Sequence, residues 1–144
     1  MTPVILLTGK DGQVGWELLR VLPQLGEVVA LGHDQLDISN PTAIRRTIRE
    51  VRPQLIVNAA AYTAVDQAET DETTAGAVNA KAPALMAEEA KKIGAALIDY
   101  STDYVFDGAK KVPYVETDSA NPTNVYGKLN LPANRLSVVQ ACHI

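Results

Sequence analysis

A chain of 144 residues that is 47% hydrophobic is long enough for one sizeable core and too short for large accessory domains. Its formal net charge of −4 gives no basic field for nucleic acid, and the pairs Lys91-Lys92 and Lys110-Lys111 read as solvated surface. No apolar run reaches the roughly 20 residues that span a bilayer, Met1-Thr2-Pro3 lacks the basic start of a signal peptide, and Cys142 alone allows neither an internal disulfide nor a multi-cysteine metal site. A soluble, cytoplasmic protein without membrane or nucleic-acid partners is expected.

Val4-Ile5-Leu6-Leu7 is a short β-rich apolar run, and Val14, Leu18, Leu19 and Leu22 then recur at helical spacing until Pro23 and Gly26. The pattern predicts a strand, a glycine turn and a helix. Val28 to Leu31 reads as a second strand. Asn40-Pro41 offers a cap residue and a first-turn proline, and Ile44, Ile48 and Val51 carry the apolar face of the helix that follows. Leu55-Ile56-Val57 gives a third strand after Pro53. A polar stretch from Asp66 to Thr74 leads into an Ala-rich helical segment, Ala75 to Lys92, with a break expected near Pro83, before Ala95 to Tyr100 supplies another buried strand. Strands alternating with helices imply right-handed βαβ units, so the expected fold class is α/β, a Rossmann-type doubly wound parallel sheet. It is divided into a dinucleotide-binding domain over 1–128 and a divergent tail over 129–144.

Gly9-Lys10-Asp11-Gly12-Gln13-Val14-Gly15 sits where a dinucleotide fingerprint must sit, after the first strand and opening the first helix. Glycines let backbone N–H groups approach a pyrophosphate, whose charge is favoured by the helix N-terminus. Gly9, Gly12, Gln13, Val14 and Gly15 are therefore candidate cofactor-binding residues. Leu31-Gly32-His33-Asp34 shows no clear acid for a ribose hydroxyl and no Arg for a 2′-phosphate, leaving NADH and NADPH both open. Asp37 and Ile38 are candidates for contact with adenine, the alternative being a solvated Asp beside a buried Ile. Asn58-Ala59-Ala60-Ala61-Tyr62-Thr63 follows the third strand, at the sheet end where such folds bind ligands. Its small residues would let a cofactor lie close to backbone, which makes Ala60, Ala61, Tyr62 and Thr63 candidates.

Together with Ser101-Thr-Asp-Tyr-Val-Phe-Asp-Gly108, Glu116-Thr-Asp118 and Pro122-Thr-Asn-Val-Tyr-Gly-Lys128, these motifs resemble the extended short-chain dehydrogenase/reductases, and among them the dTDP-4-dehydrorhamnose reductase branch. The resemblance runs from Gly9 to Lys128 and covers the N-terminal part of such enzymes, truncated before a C-terminal substrate region. It implies that NADPH or NADH reduces the 4-keto group of dTDP-4-dehydro-6-deoxy-L-mannose to dTDP-L-rhamnose, for cell-surface polysaccharide. Tyr126 would donate the proton and contact the cofactor, and Thr102 would hydrogen-bond the reacting carbonyl. A Mg2+ ion and a homodimer are implied by the resemblance alone, and no residue is named for a metal.

The family lysine belongs four residues after the tyrosine, on the same helical face. Here that position is Asn130, which carries no charge to depress a phenol pKa. Lys128 is two residues from Tyr126 and points elsewhere. Pro132 would also disrupt the helix expected to follow. Codons for Leu129 to Ser137, read one base earlier, can encode Thr-Lys-Leu-Thr-Ser-Glu-Gln-Ala-Val, which restores the family pattern. A one-base deletion near the Lys128 codon is therefore expected, with a genuine divergent terminus as the competing explanation. The chain by itself should be weak or inactive. A second reading is a non-catalytic dinucleotide-binding or regulatory subunit of the same fold, and a third is another sugar-nucleotide epimerase or reductase.

Overall fold

The structure, a computed structural model, describes residues 2–131 and the backbone of a further strand, Val139–Ala141. β1 (Val4–Thr8) is followed by α1 (Gln13–Val21), a 3-10 turn (Leu22–Gln24) and β2 (Glu27–Leu31). α2 (Pro41–Val51) leads to β3 (Leu55–Asn58). Two short helices, α3 (Val65–Ala68) and α4 (Glu72–Gly76), precede a π turn (Ala77–Lys81), α5 (Ala82–Ile93) and β4 (Ala96–Tyr100). A 3-10 turn (Asp103–Val105), α6 (Val125–Asn130) and β5 (Val139–Ala141) complete the order.

Among the described residues five strands pair in parallel, in the order β2-β1-β3-β4-β5. The fifth strand pairs with β4, so the sheet reaches into the segment expected to be a tail. Parallel strands need crossover helices, and alternate side chains then feed two cores. On one face Leu6, Ile56 and Leu97 pack with Ile44 and Ile48 of α2 and with Leu85, Met86 and Ala90 of α5. On the other, Ile5, Leu7 and Val57 pack with Leu18 of α1 and with Leu22 just after it.

The cap expected at Asn40 forms, its side chain accepting from the N–H groups of Thr42 and Ala43 ahead of Pro41-initiated α2. The break expected near Pro83 lies just before it, as the π turn. Pro83 has no N–H for the carbonyl of Asn79, and its ring crowds that carbonyl, so the preceding turn widens. On α1 the expected apolar face is only partly covered. Leu22 is buried and Leu18 packs against the same cluster, but Val14 and Leu19 are 45% and 36% exposed, and neither belongs to that cluster.

α2 and α5 are joined at their outer edges by Glu89, which is fully buried. Its carboxylate accepts from Arg49 Nε (2.8 Å) and Nη2 (3.1 Å) and from Lys92 Nζ (2.9 Å). Hydrogen bonds from Arg49 and Lys92 hold the Glu89 carboxyl down at about 2. A folded-state value below the unfolded one gives stability that is present above the unfolded pKa and lost as pH falls toward 2. The urea midpoint should therefore drop between pH 4.5 and 2, and Glu89→Gln should flatten that part of the profile while lowering the midpoint at pH 7.

Candidate functional site

The turn after β1 is held by backbone bonds from Gly9 N and Lys10 N to the carbonyl of Leu31, at 3.0 and 3.3 Å. Gly9 has φ +73°, and a Cβ there would stand 2.5 Å from Ala60 N. Only glycine satisfies both the left-handed backbone and the close approach of the β3 loop. Gly12 caps α1 without any side chain covering the first-turn N–H groups, which leaves a helix N-terminus open toward solvent. Gly15 is buried, and a Cβ on it would meet the Gly9 carbonyl oxygen at 2.0 Å. Its place is under the turn.

A cleft of about 760 Å³ opens at the C-terminal ends of β1, β2 and β3. Gly9, Gly12, Gln13 and Val14 line one side, Asp37 and Ile38 another, and Ala60, Ala61, Tyr62 and Thr63 the third. Ten sequence-predicted residues thus share one cavity. Thr102 and Tyr126 do not line it. Tyr126 stands beyond Tyr62, which lines the cleft and also packs against the small cluster of Ala68, Ala75 and Tyr126.

Residues outside the predicted set position the cleft wall. Thr8 Oγ1 donates to Asn58 Oδ1 (2.6 Å), and Asn58 Nδ2 donates to Asp99 Oδ1 (2.5 Å), in a buried row across β1, β3 and β4. Asn58 Oδ1 also accepts from Ala60 N (3.3 Å). Further along, Asn79 clasps Tyr62, accepting from its N–H and donating to its carbonyl, both at 2.9 Å. Asn79 lies 17 residues away in the π turn, and its helical context hides this role from sequence. Burial raises the Asp99 carboxyl to about 6, opposed by the hydrogen bond from Asn58.

Tyr126 and Thr102 meet through a fold-level contact. Thr102 Oγ1 accepts from Tyr104 N (3.2 Å), capping the 3-10 turn. Asn124 caps α6 by accepting from Gly127 N (2.8 Å). A Cβ on Gly127 would meet the Tyr104 carbonyl oxygen at 2.1 Å, so glycine there is what lets α6 press against this turn. The rings of Tyr104 and Tyr126 meet edge to face, 5.5 Å apart. Burial pushes the Tyr126 phenol up, and a side-chain hydrogen bond with Thr102 pulls it part of the way back. Asn130 is buried on the same helical face, and its Nδ2 donates to the carbonyl of Tyr126 (2.8 Å). The amide is thus turned to backbone, while Lys128 is exposed on a different side of α6. Ser101 Oγ, next to Thr102, is buried without a hydrogen-bond partner among the described residues.

Parallel strands, crossover helices on both faces, a glycine turn and a cleft at the strand C-termini define a Rossmann-type domain of the short-chain dehydrogenase/reductase architecture. A family model described as RmlD substrate binding domain matches residues 1–141, and the chain belongs to that family. It is 50% identical over 127 residues to the dTDP-4-dehydrorhamnose reductase of Burkholderia thailandensis, covering 88% of this chain and 43% of that protein. It is 47% identical over 135 residues to the one of Escherichia coli K12, covering 91% and 45%. The crystal structure of a Bacillus anthracis dTDP-4-dehydrorhamnose reductase in complex with NADP superposes with TM-score 0.90 at 32% identity, over 99% of this chain and 52% of that one. A Thermus thermophilus UDP-glucose 4-epimerase shares the fold, with TM-score 0.82 at 20% identity. The chain spans about half the length of the curated relatives it matches.

Two outcomes follow from this geometry. A carboxyl raised by folding stabilises only while protonated, so the contribution of Asp99 is present below about pH 4 and lost as pH rises through 6. Asp99→Asn keeps a neutral acceptor for Asn58 and should be more stable than the parent at pH 7.5 by about 1–3 kcal/mol, with the gap closing in denaturation series below pH 4. Gly127→Ala should force α6 off the Tyr104 carbonyl, seen as loss of protection in hydrogen exchange at 124–130 while the β1–β3 core stays protected.

Proposed function

We propose that this chain is the cofactor-binding half of a ketosugar reductase, in which NADPH or NADH reduces the 4-keto group of dTDP-4-dehydro-6-deoxy-L-mannose. The observation that carries the reading is the half-buried Tyr126 phenol with the Thr102 side chain near enough to lower its pKa, beside a cleft that fits a dinucleotide. The fit rests on the uncovered N-terminus of α1 and on Gly9, whose missing side chain lets the Ala60 backbone form the opposite wall. Gly9, Gly12, Gln13 and Val14 would hold the pyrophosphate, Asp37 and Ile38 the adenine side, and Ala60 to Thr63 the ribose and nicotinamide side. When bound, the nicotinamide supplies the hydride.

The remaining work falls to two side chains. Tyr126 holds its proton, because burial keeps the phenol neutral, and gives it to the oxygen of the reduced carbonyl. Thr102 hydrogen-bonds that oxygen and orients the phenol. Asn130 brings no cation to ease the proton away, so we assign this chain weak or no turnover by itself. The break at 129 is read as a one-base shift of frame. Asn130 at the position where a lysine is expected, and a proline at 132 where the sequence should continue a helix, support this. Resequencing the source DNA across the Lys128 codon tests the shift, and an intact frame there refutes it.

The purified chain should show no measurable oxidation of NADPH or NADH with the ketosugar. A chain read in the restored frame through the length of its relatives should reduce it. In that longer chain Tyr126→Phe should lower kcat by about 100-fold or more with little change in cofactor affinity. Full activity of the Phe variant would remove Tyr126 from the reaction.

A further inference from the structure

The end of β2 carries no acidic side chain in the sequence, since Leu31 is followed by Gly32 and His33. In this architecture the group placed there reads the adenosine ribose, a carboxylate for a free 2′-hydroxyl or a cation for a 2′-phosphate. The fold brings that carboxylate from another segment. Asp11, in the glycine turn after β1, leans over Gly32 so closely that a Cβ on residue 32 would lie 1.9 Å from Asp11 Oδ2. The carboxylate occupies the space in which a side chain from the end of β2 would begin.

The platform beneath it is fixed. Gly32 is buried, its N–H donates to Gln35 Oε1 (3.1 Å), and its carbonyl accepts from the N–H groups of Gln35 (3.1 Å) and Leu36 (2.9 Å). Asp11, Gly32 and His33 all line the cleft. Two nearby charges do not. Lys10 Nζ is engaged by Gln35 Oε1, and Asp34, whose Oδ1 lies 3.0 Å from the same Cβ position, is outside the cleft lining. The ionisable residues that line this part of the cleft are Asp11 and His33, with Asp37 further along and close enough to His33 to feel its charge.

We propose that Asp11 is the residue that sets cofactor choice, its carboxylate accepting from the adenosine ribose hydroxyls of NADH and repelling the 2′-phosphate of NADPH. This rests on the cofactor-cleft reading above. It assigns to the glycine turn a discrimination that such folds usually place at the end of β2, and it gives position 32 a reason to be glycine.

The test is binding, without turnover. The full 144-residue chain is titrated with NADH and NADPH by nicotinamide fluorescence, and with 5′-AMP and 2′,5′-ADP by calorimetry. The parent chain should bind NADH and 5′-AMP more tightly. Asp11→Asn should weaken NADH by about tenfold, the usual consequence of losing a charge-assisted hydrogen bond, and tighten NADPH and 2′,5′-ADP. Asp11→Ser should shift the ratio the same way, and circular dichroism should show both variants folded. Asp34→Asn should leave the ratio unchanged. A parent chain that prefers NADPH, an unchanged ratio in both Asp11 variants, or a shift produced by Asp34→Asn overturns the assignment. Failure of the parent to bind any of the four ligands overturns the cleft reading itself, and the assignment with it.

Discussion

The buried row of Thr8, Asn58 and Asp99 is the constraint on which the site depends. Parallel pairing sets Thr8 opposite Asn58 and Asn58 opposite Asp99, so three polar side chains are carried into the top of an apolar layer together. Buried polar groups are costly unless they satisfy one another, and here each does. The same Asn58 oxygen reaches Ala60 N, which turns the chain out of β3 and across the glycine turn. Where β3 ends therefore decides how wide the cleft is and where Tyr62 begins. Tyr62 in turn connects the cleft to the cluster around Tyr126.

The protonation state of Tyr126 comes from a balance that the fold leaves one-sided. Burial and the nearby Asp103 and Tyr104 raise the phenol, and only Thr102 acts against them. A cation on the next turn of α6 would tip that balance, but Asn130 spends its amide on the Tyr126 carbonyl. The residue that takes the lysine's position thus ties down helix backbone. A neutral phenol can still give a proton, and it is poorly placed to cycle between states at neutral pH.

Much of this was legible in the residues. Strand runs at Val4 to Leu7 and Leu55 to Val57, each one residue short of the observed strand, the Asn40 cap and the glycine turn obey local rules whose physics acts within a few residues. The cleft-lining set was legible for the same reason, since glycines and small residues at strand ends advertise close backbone approach. Other features were hidden because they join distant segments. Asn79 looks like one polar position in an Ala-rich helix until the π turn aims it at Tyr62. Val14 and Leu19 share the helical spacing of Leu18 and Leu22, yet spacing says nothing about which of these side chains reaches the sheet, and these two are exposed. Asp11 reads as a turn residue, and only the approach of β1 to β2 sets it over Gly32.

The sequence by itself determined the alternation of strands and helices, the position of the glycine turn and the chemical identities at positions 102, 126 and 130. Those depend on local backbone preference and on which side chain the chain carries. The tertiary structure alone decided that Thr102 and Tyr126 come together, that Asp11 stands at the end of β2, and that Asp99 is a raised carboxyl held by Asn58. Each of these needs two or more segments brought together by the parallel sheet. Burial and charge environment exist only once that packing has excluded water.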